Sequence, residues 1–150
     1  MAQTDSVLRA TPKEERQIYV TKFDLQRLQE LVQVAKEFKF QDRNDLKKLE
    51  QELERATIVG SKDVLPDVVT MNAKVELLDI DKNEKMTFTL VFPIDADIDR
   101  GKISIIAPIG TAILGYRVGD TVIWQVQAGV RRIKIQKIIY QPEASGDYHL

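Results

Sequence analysis

Residues 103–126 read ISIIAPIGTAILGYRVGDTVIWQV, and this stretch decides the fold. Ile103, Ile105 and Ile106 are apolar and β-branched, as in a buried strand. Pro108 ends that run, because proline has no N–H to give to a ladder. Thr111 to Leu114 is compact and apolar, and Gly115 stands where a short helix would stop. Arg117-Val118-Gly119-Asp120 has turn chemistry, and Thr121 to Val126 returns to β-type residues around the only tryptophan, Trp124. Strand, glycine-capped helix, turn and strand make a scaffold, and no catalytic group lies in it.

Flanking segments repeat with a period of two. Downstream, Gln127-Ala128-Gly129 is a turn, Ile133 and Ile135 alternate with Arg132, Lys134 and Gln136, and the run continues to Tyr140 before Pro142 ends it. Upstream, Val75 and Leu77 alternate with Lys74 and Glu76. Asp81-Lys82-Asn83-Glu84 turns the chain, and Met86, Phe88 and Leu90 alternate with Thr87 and Thr89. These two runs predict a hairpin. Pro93 closes it, and 95–101 is a polar loop.

Further upstream the period becomes helical. Leu25, Leu28, Val32 and Ala35 fall at spacings of three and four, with Leu31 and Phe38 widening the stripe. Thr21 is the predicted N-cap, with Asp24 as an acidic capping-box partner. Such a helix is roughly 25 Å long. Lys39 to Arg43 connects it to a second helix, with Asn44 as N-cap, Asp45 in the first turn, and Leu46, Leu49, Leu53 and Ala56 on one face. The expected fold class is α+β. A polar tail, 1–17, precedes an antiparallel coiled-coil helical hairpin, 18–58, then a linker, 59–66, and a β domain with one short helix, 67–150. The hairpin seam is too short to stand alone and should lean on the β domain.

Composition narrows the function. The 150 residues carry a net charge of −1; residues 1–65 hold 12 basic and 12 acidic side chains, and residues 66–150 hold 10 and 11. Neither part is a polycation, which argues against duplex binding by phosphate neutralisation. Cysteine is absent, so disulfides, thiol catalysis and thiolate metal sites are excluded. No apolar run has membrane-spanning or signal-peptide length. The expected address is the cytoplasm, with no membrane partner.

Five features have the residue types of a site. Gly110 to Gly115 spells GxxxxG, but Tyr116-Arg117 follows where a phosphate loop needs lysine and a hydroxyl. Asp95, Asp97 and Asp99 alternate like a calcium loop, but Arg100 stands at the sixth position and Ile106 at the twelfth, where glycine and glutamate belong. His149, the only histidine, has no serine or cysteine nucleophile near it in sequence. Arg131, Arg132, Lys134 and Lys137 suit an exposed sheet face or an acidic partner. Asp42 and Asp45 stand at the hairpin tip, where two carboxylates could share a magnesium ion held by a partner enzyme.

DVVTMNAKV at 67–75, APIGTAILGYRVGD at 107–120 and YQPEASGDYHL at 140–150 resemble the GreA/GreB family of transcript-cleavage factors, and within it the Rnk branch of nucleoside diphosphate kinase regulators. The resemblance is close over about 66–150; the helical arm agrees in type and place but hardly in residues. It implies an FKBP-like antiparallel sheet around a short helix, and a coiled-coil arm. It implies binding to RNA polymerase at the secondary channel, with the globular domain at the rim. The further expectations are a monomer, no cofactor and no sequence-specific nucleic-acid partner. The docking loop carried over is Ala107, Pro108 and Ile109. At the tip, Asp45-Leu46-Lys47 is followed by Lys48, where the cleavage factors have glutamate. From Asp45 to Pro66 there are 21 residue steps, about half of what a cleavage-factor arm spends. Ten helical residues fewer cost about 15 Å of reach, whereas carboxylates must come within roughly 2.0–2.6 Å of a metal ion. The expectation is polymerase binding without stimulated transcript cleavage, with cleavage through Asp42 and Asp45 as the alternative. A prolyl isomerase is a further alternative from the fold alone, and it would need an aromatic-lined cleft.

Overall fold

The computed structural model describes residues 17–38, 43–126 and 128–150. Along the chain run β1 (Tyr19–Thr21), α1 (Lys22–Phe38), α2 (Arg43–Arg55), β2 (Thr57–Val59), β3 (Lys74–Asp79), β4 (Glu84–Val91), β5 (Lys102–Ser104), α3 (Pro108–Ile113), β6 (Thr121–Val126) and β7 (Gly129–Tyr140). Two short 3-10 turns, Pro93–Asp95 and Ile98–Arg100, lie between β4 and β5. The fold is α+β: helices followed by a five-stranded sheet in the order β5-β4-β3-β7-β6. The tail expected at 1–17 lies outside the described residues except for Gln17.

Alternation places the sheet's core face. Val75, Leu77, Leu90, Val122, Ile133 and Ile135 are buried, with Met86, Phe88 and Trp124 packed against them. The β3–β4 hairpin forms with Val75 opposite Phe88 and Leu77 opposite Met86. Against β3, β7 shifts register twice, irregularities that strict alternation does not reveal.

Two expectations need correction. The sheet is not wholly antiparallel, because β5 pairs with β4 in parallel, Thr89 with Lys102 through Val91 with Ser104. The reason is the 92–101 segment. Asp97 and Lys102 exchange backbone hydrogen bonds, so the chain reverses once more before β5 and then runs the same way as β4. The strand expected to reach Ile106 also stops at Ser104, and Ile105 and Ile106 are buried in the turn entering α3.

The helices bury the stripes that their spacing predicts: Leu28, Val32 and Ala35 from α1, and Leu46, Leu49 and Leu53 from α2. Lys36 pairs with Glu50 at 2.7 Å, while Gln29 and Val32 share a groove with Leu53 and Glu54, so the two helices run antiparallel. Helix α2 begins at Arg43, one residue before the expected cap Asn44. One continuous apolar cluster runs from Leu28 and Leu49 through Ile18, Val20 and Met71 to Leu77 and Ile135. The arm therefore rests on the sheet's own core. Residues 57–59, expected as the end of the hairpin and start of a linker, form β2 and pair in parallel with β1, Tyr19 with Thr57 through Thr21 with Val59.

Candidate functional site

The loop entering α3 is built by local hydrogen bonds. Ala107 N–H donates to Ser104 O at 3.0 Å, Ile106 N–H to Ser104 Oγ at 3.1 Å, and Thr111 Oγ1 to Ile105 O at 2.6 Å. Pro108 occupies the first helical turn, where its missing N–H leaves nothing unsatisfied. Gly110 lets the helix sit directly on the loop: a Cβ there would stand 2.3 Å from Ser104 O. Of the three residues expected to form a docking loop, Pro108 is exposed, Ala107 is half-buried, and Ile109 is buried in the core. Any surface contact by this loop thus falls to Pro108 and Ala107, with Ile109 as their anchor.

At the arm tip, Asp42 lies outside the described residues. Asp45 is half-buried in the first turn of α2, where a carboxylate suits the helix dipole. The expected pairing of the two acids therefore falls outside the described residues.

The arm–body junction is what the sequence reading missed. Thr21 caps α1, accepting Asp24 N–H at 3.0 Å. The Asp24 carboxylate faces inward, 1% exposed, where Oδ2 accepts Met71 N–H at 3.1 Å and Oδ1 accepts Arg27 Nη2 at 2.5 Å. Arg27 in turn lies over the rings of Phe23 and Phe92, at 3.9 and 4.8 Å from their centroids. At the other foot of the arm, Arg55 holds Glu52 and donates to Tyr116 Oη at 2.7 Å. Tyr19 N–H donates to Gly115 O at 3.1 Å. Only the spacing Thr21–Asp24 hinted at this junction, and it suggested a cap rather than a bridge.

The C-terminal segment closes over the same place. The Gln141 amide donates to Leu65 O and Val68 O, both at 2.8 Å, and Thr70 Oγ1 donates to Glu143 at 2.7 Å. Asp147 accepts the Tyr140 hydroxyl, and this hydrogen bond pushes the phenol up to about 12. Burial raises the Glu143 carboxyl, which Asp24 raises further; the Thr70 hydrogen bond and Arg27 oppose the shift. Burial likewise raises Asp24 against the pull of Met71 N–H and Arg27. A carboxyl raised in the folded state withholds stability at neutral pH and returns it as pH falls through the folded value, fully so below the ordinary 4.5 of glutamate. Glu143→Gln should therefore gain on the parent chain at pH 7, and the gain should shrink towards pH 4.5, measured by urea unfolding across that range. An advantage independent of pH would contradict the assignment.

The other candidates resolve into structure. Leu114 N–H goes to Gly110 O and Gly115 N–H to Val69 O, so the GxxxxG backbone points into the protein rather than at a phosphate. Asp97 pairs with Arg100 at 3.6 Å, while Asp95 and Asp99 are exposed. Among the described residues no group of three or more acidic or histidine side chains is arranged to hold a metal. Arg131 pairs with Asp79 and Arg132 with Asp81, and both carboxyls are held below their usual range by those hydrogen bonds. Among the described residues, Lys134 and Lys137 form no ion pair and give the strand its open charge. His149 is exposed. Phe88, Phe92 and Trp124 are half-buried against the core, and Tyr116 is fully buried within it. Among the described residues no helix is long and apolar enough to cross a membrane.

Comparison with known proteins fits this arrangement. Residues 64–140 match the family described as transcription elongation factor, GreA/GreB, C-term, and residues 16–59 match the Rnk N-terminus. The chain is 39% identical over 103 residues to the regulator of nucleoside diphosphate kinase of Escherichia coli, spanning 68% of this chain and 76% of that one. It is 42% identical over 106 residues to transcription elongation factor GreA of Chlorobium phaeobacteroides, spanning 69% and 66%. A solved structure of a GreA/GreB elongation factor from Nitrosomonas europaea superposes with a TM-score of 0.68 at 36% identity, covering 82% of this chain and 99% of that one. A GreA/GreB-type sheet carrying an Rnk-type helical pair places this chain in the Rnk–GreA/GreB family of transcription regulators.

Proposed function

We propose that this chain is an RNA polymerase-binding transcription regulator of the Rnk type. It docks as a single copy at the secondary-channel rim through the Ala107–Pro108 loop of its FKBP-like domain. Its coiled-coil arm enters the channel without stimulating transcript cleavage. The observation that carries this reading is the arm itself. Helix α1 has 17 residues and α2 has 13, which give about 25 and 20 Å. Both feet are tied to the body, so the arm cannot extend further by unfolding its base. The name of the Escherichia coli relative supports a link to nucleoside diphosphate kinase levels, which polymerase binding would exert through transcription.

Binding of the labelled chain to core RNA polymerase tests this, with GreA as competitor. The parent chain should bind and be displaced by GreA, and Pro108→Arg should bind at least tenfold more weakly with its melting temperature retained. Paused elongation complexes should show no added RNA cleavage. Efficient cleavage that vanishes in Asp42→Ala/Asp45→Ala would instead establish the cleavage-factor reading.

A further inference from the structure

We propose that the docking surface around Pro108 extends over the 93–100 segment, where Ile94 and Ile98 form an apolar contact with a basic-fringed surface of RNA polymerase. This rests on the polymerase reading above. Ile94 is 92% exposed and Ile98 69%, more than any other large hydrophobic residue described. Neither contributes to the core, yet both are held on ordered backbone. Asp95 N–H donates to Phe92 O, Ala96 N–H to Pro93 O, Arg100 N–H to Asp97 O and Gly101 N–H to Ile98 O. Apolar side chains held on preorganised turns lose little freedom on binding, which is how such a surface gains affinity.

Topology brings the Pro93–Asp95 turn to the proposed docking loop, and the Ile98–Arg100 turn continues the surface at the Lys102 end of β5. Strands β4 and β5 run parallel and end side by side at Val91 and Ser104. The Pro93–Asp95 turn and the Ile105–Pro108 loop therefore leave the sheet at the same end, and Ile105 N–H still donates to Val91 O at 2.9 Å. The Pro93–Asp95 turn also packs on β5.

Charge selects the occupant. Asp95 and Asp99 are exposed and flank the isoleucines, while Asp97 is partly neutralised by Arg100. An acidic rim around an apolar centre favours a partner with the opposite fringe. A second copy of this chain fits worse, because a two-fold contact would set one net-acidic patch against its own copy.

The test is equilibrium and stopped-flow binding of the full chain to core RNA polymerase at two salt concentrations, with sedimentation of the free chain. Ile94→Ser/Ile98→Ser should melt like the parent and bind about tenfold more weakly, or worse. Asp95→Lys/Asp99→Lys should slow association and flatten its salt dependence. If the serine variant binds like the parent while Pro108→Arg is weakened, the extension is wrong and the docking loop stands. If the parent does not bind at all, the polymerase reading falls and takes the extension with it. A free dimer that becomes monomeric in the serine variant would assign the patch to self-association and overturn the proposal.

Discussion

Gly115→Ala should lower the melting temperature by about 6–12 °C, corresponding to about 3 kcal/mol for a chain of this size. Two causes add. Gly115 has φ +83°, a left-handed conformation that costs an alanine about 1–2 kcal/mol. A Cβ there would also stand 2.8 Å from Ile18 Cβ and 3.1 Å from both Tyr19 N and Tyr19 O, and two of those three atoms are backbone. The clash falls on the strand that holds the foot of α1. Gly119→Ala separates the causes, since Gly119 has φ +96° with nothing within 4 Å of the added carbon. It should show the conformational cost alone, about 1 kcal/mol. Equal losses in the two variants, read by calorimetry, would dismiss the close-packing account.

Asp24→Ala should cost a similar amount, about 3 kcal/mol, for an electrostatic reason. It leaves Met71 N–H without its acceptor and Arg27 without its carboxylate, held against two phenyl rings. A buried donor that loses its partner costs more than the bond was worth. Asp24→Asn keeps an acceptor oxygen for Met71 and sheds the burial cost of the charge, so at pH 7 it should stay close to the parent. Hydrogen exchange at the Met71 amide distinguishes this from general loosening: it should accelerate sharply in Asp24→Ala and modestly in Asp24→Asn. Unchanged exchange at Met71 would mean that Asp24 does not bridge arm and body.

Much of this architecture was legible because it follows from period. The 3.6-residue spacing of Leu28, Val32 and Ala35 and the alternation of Val75, Leu77, Met86 and Phe88 each specify one buried face. The glycine at 115 was legible as a helix stop, though not as a point of contact with Ile18, because close approach between segments distant in sequence leaves no local pattern. The parallel β4–β5 pair was hidden for the same reason: it depends on two turns whose backbone bonds are not encoded by side-chain periodicity. Residues 57–59 read as connection since three β-branched or small residues are too few to signal a strand. At the candidate site, Pro108 was readable from its neighbours in the GreA/GreB-like motif, whereas the burial of Ile109 required the helix to be placed on its loop. The bridge through Asp24 joins residues 47 apart in sequence, and only a fold can pair them.

The parallel ribbon of β1 and β2 has a consequence for how such proteins diversify. Because the chain enters α1 and leaves α2 through adjacent strands, the two helices share a single socket. Matched helical insertions in α1 and α2 would lengthen that module without moving Gly115, Tyr116 or the loop at Pro108. A common mount could thus carry projections of different length on an unchanged body.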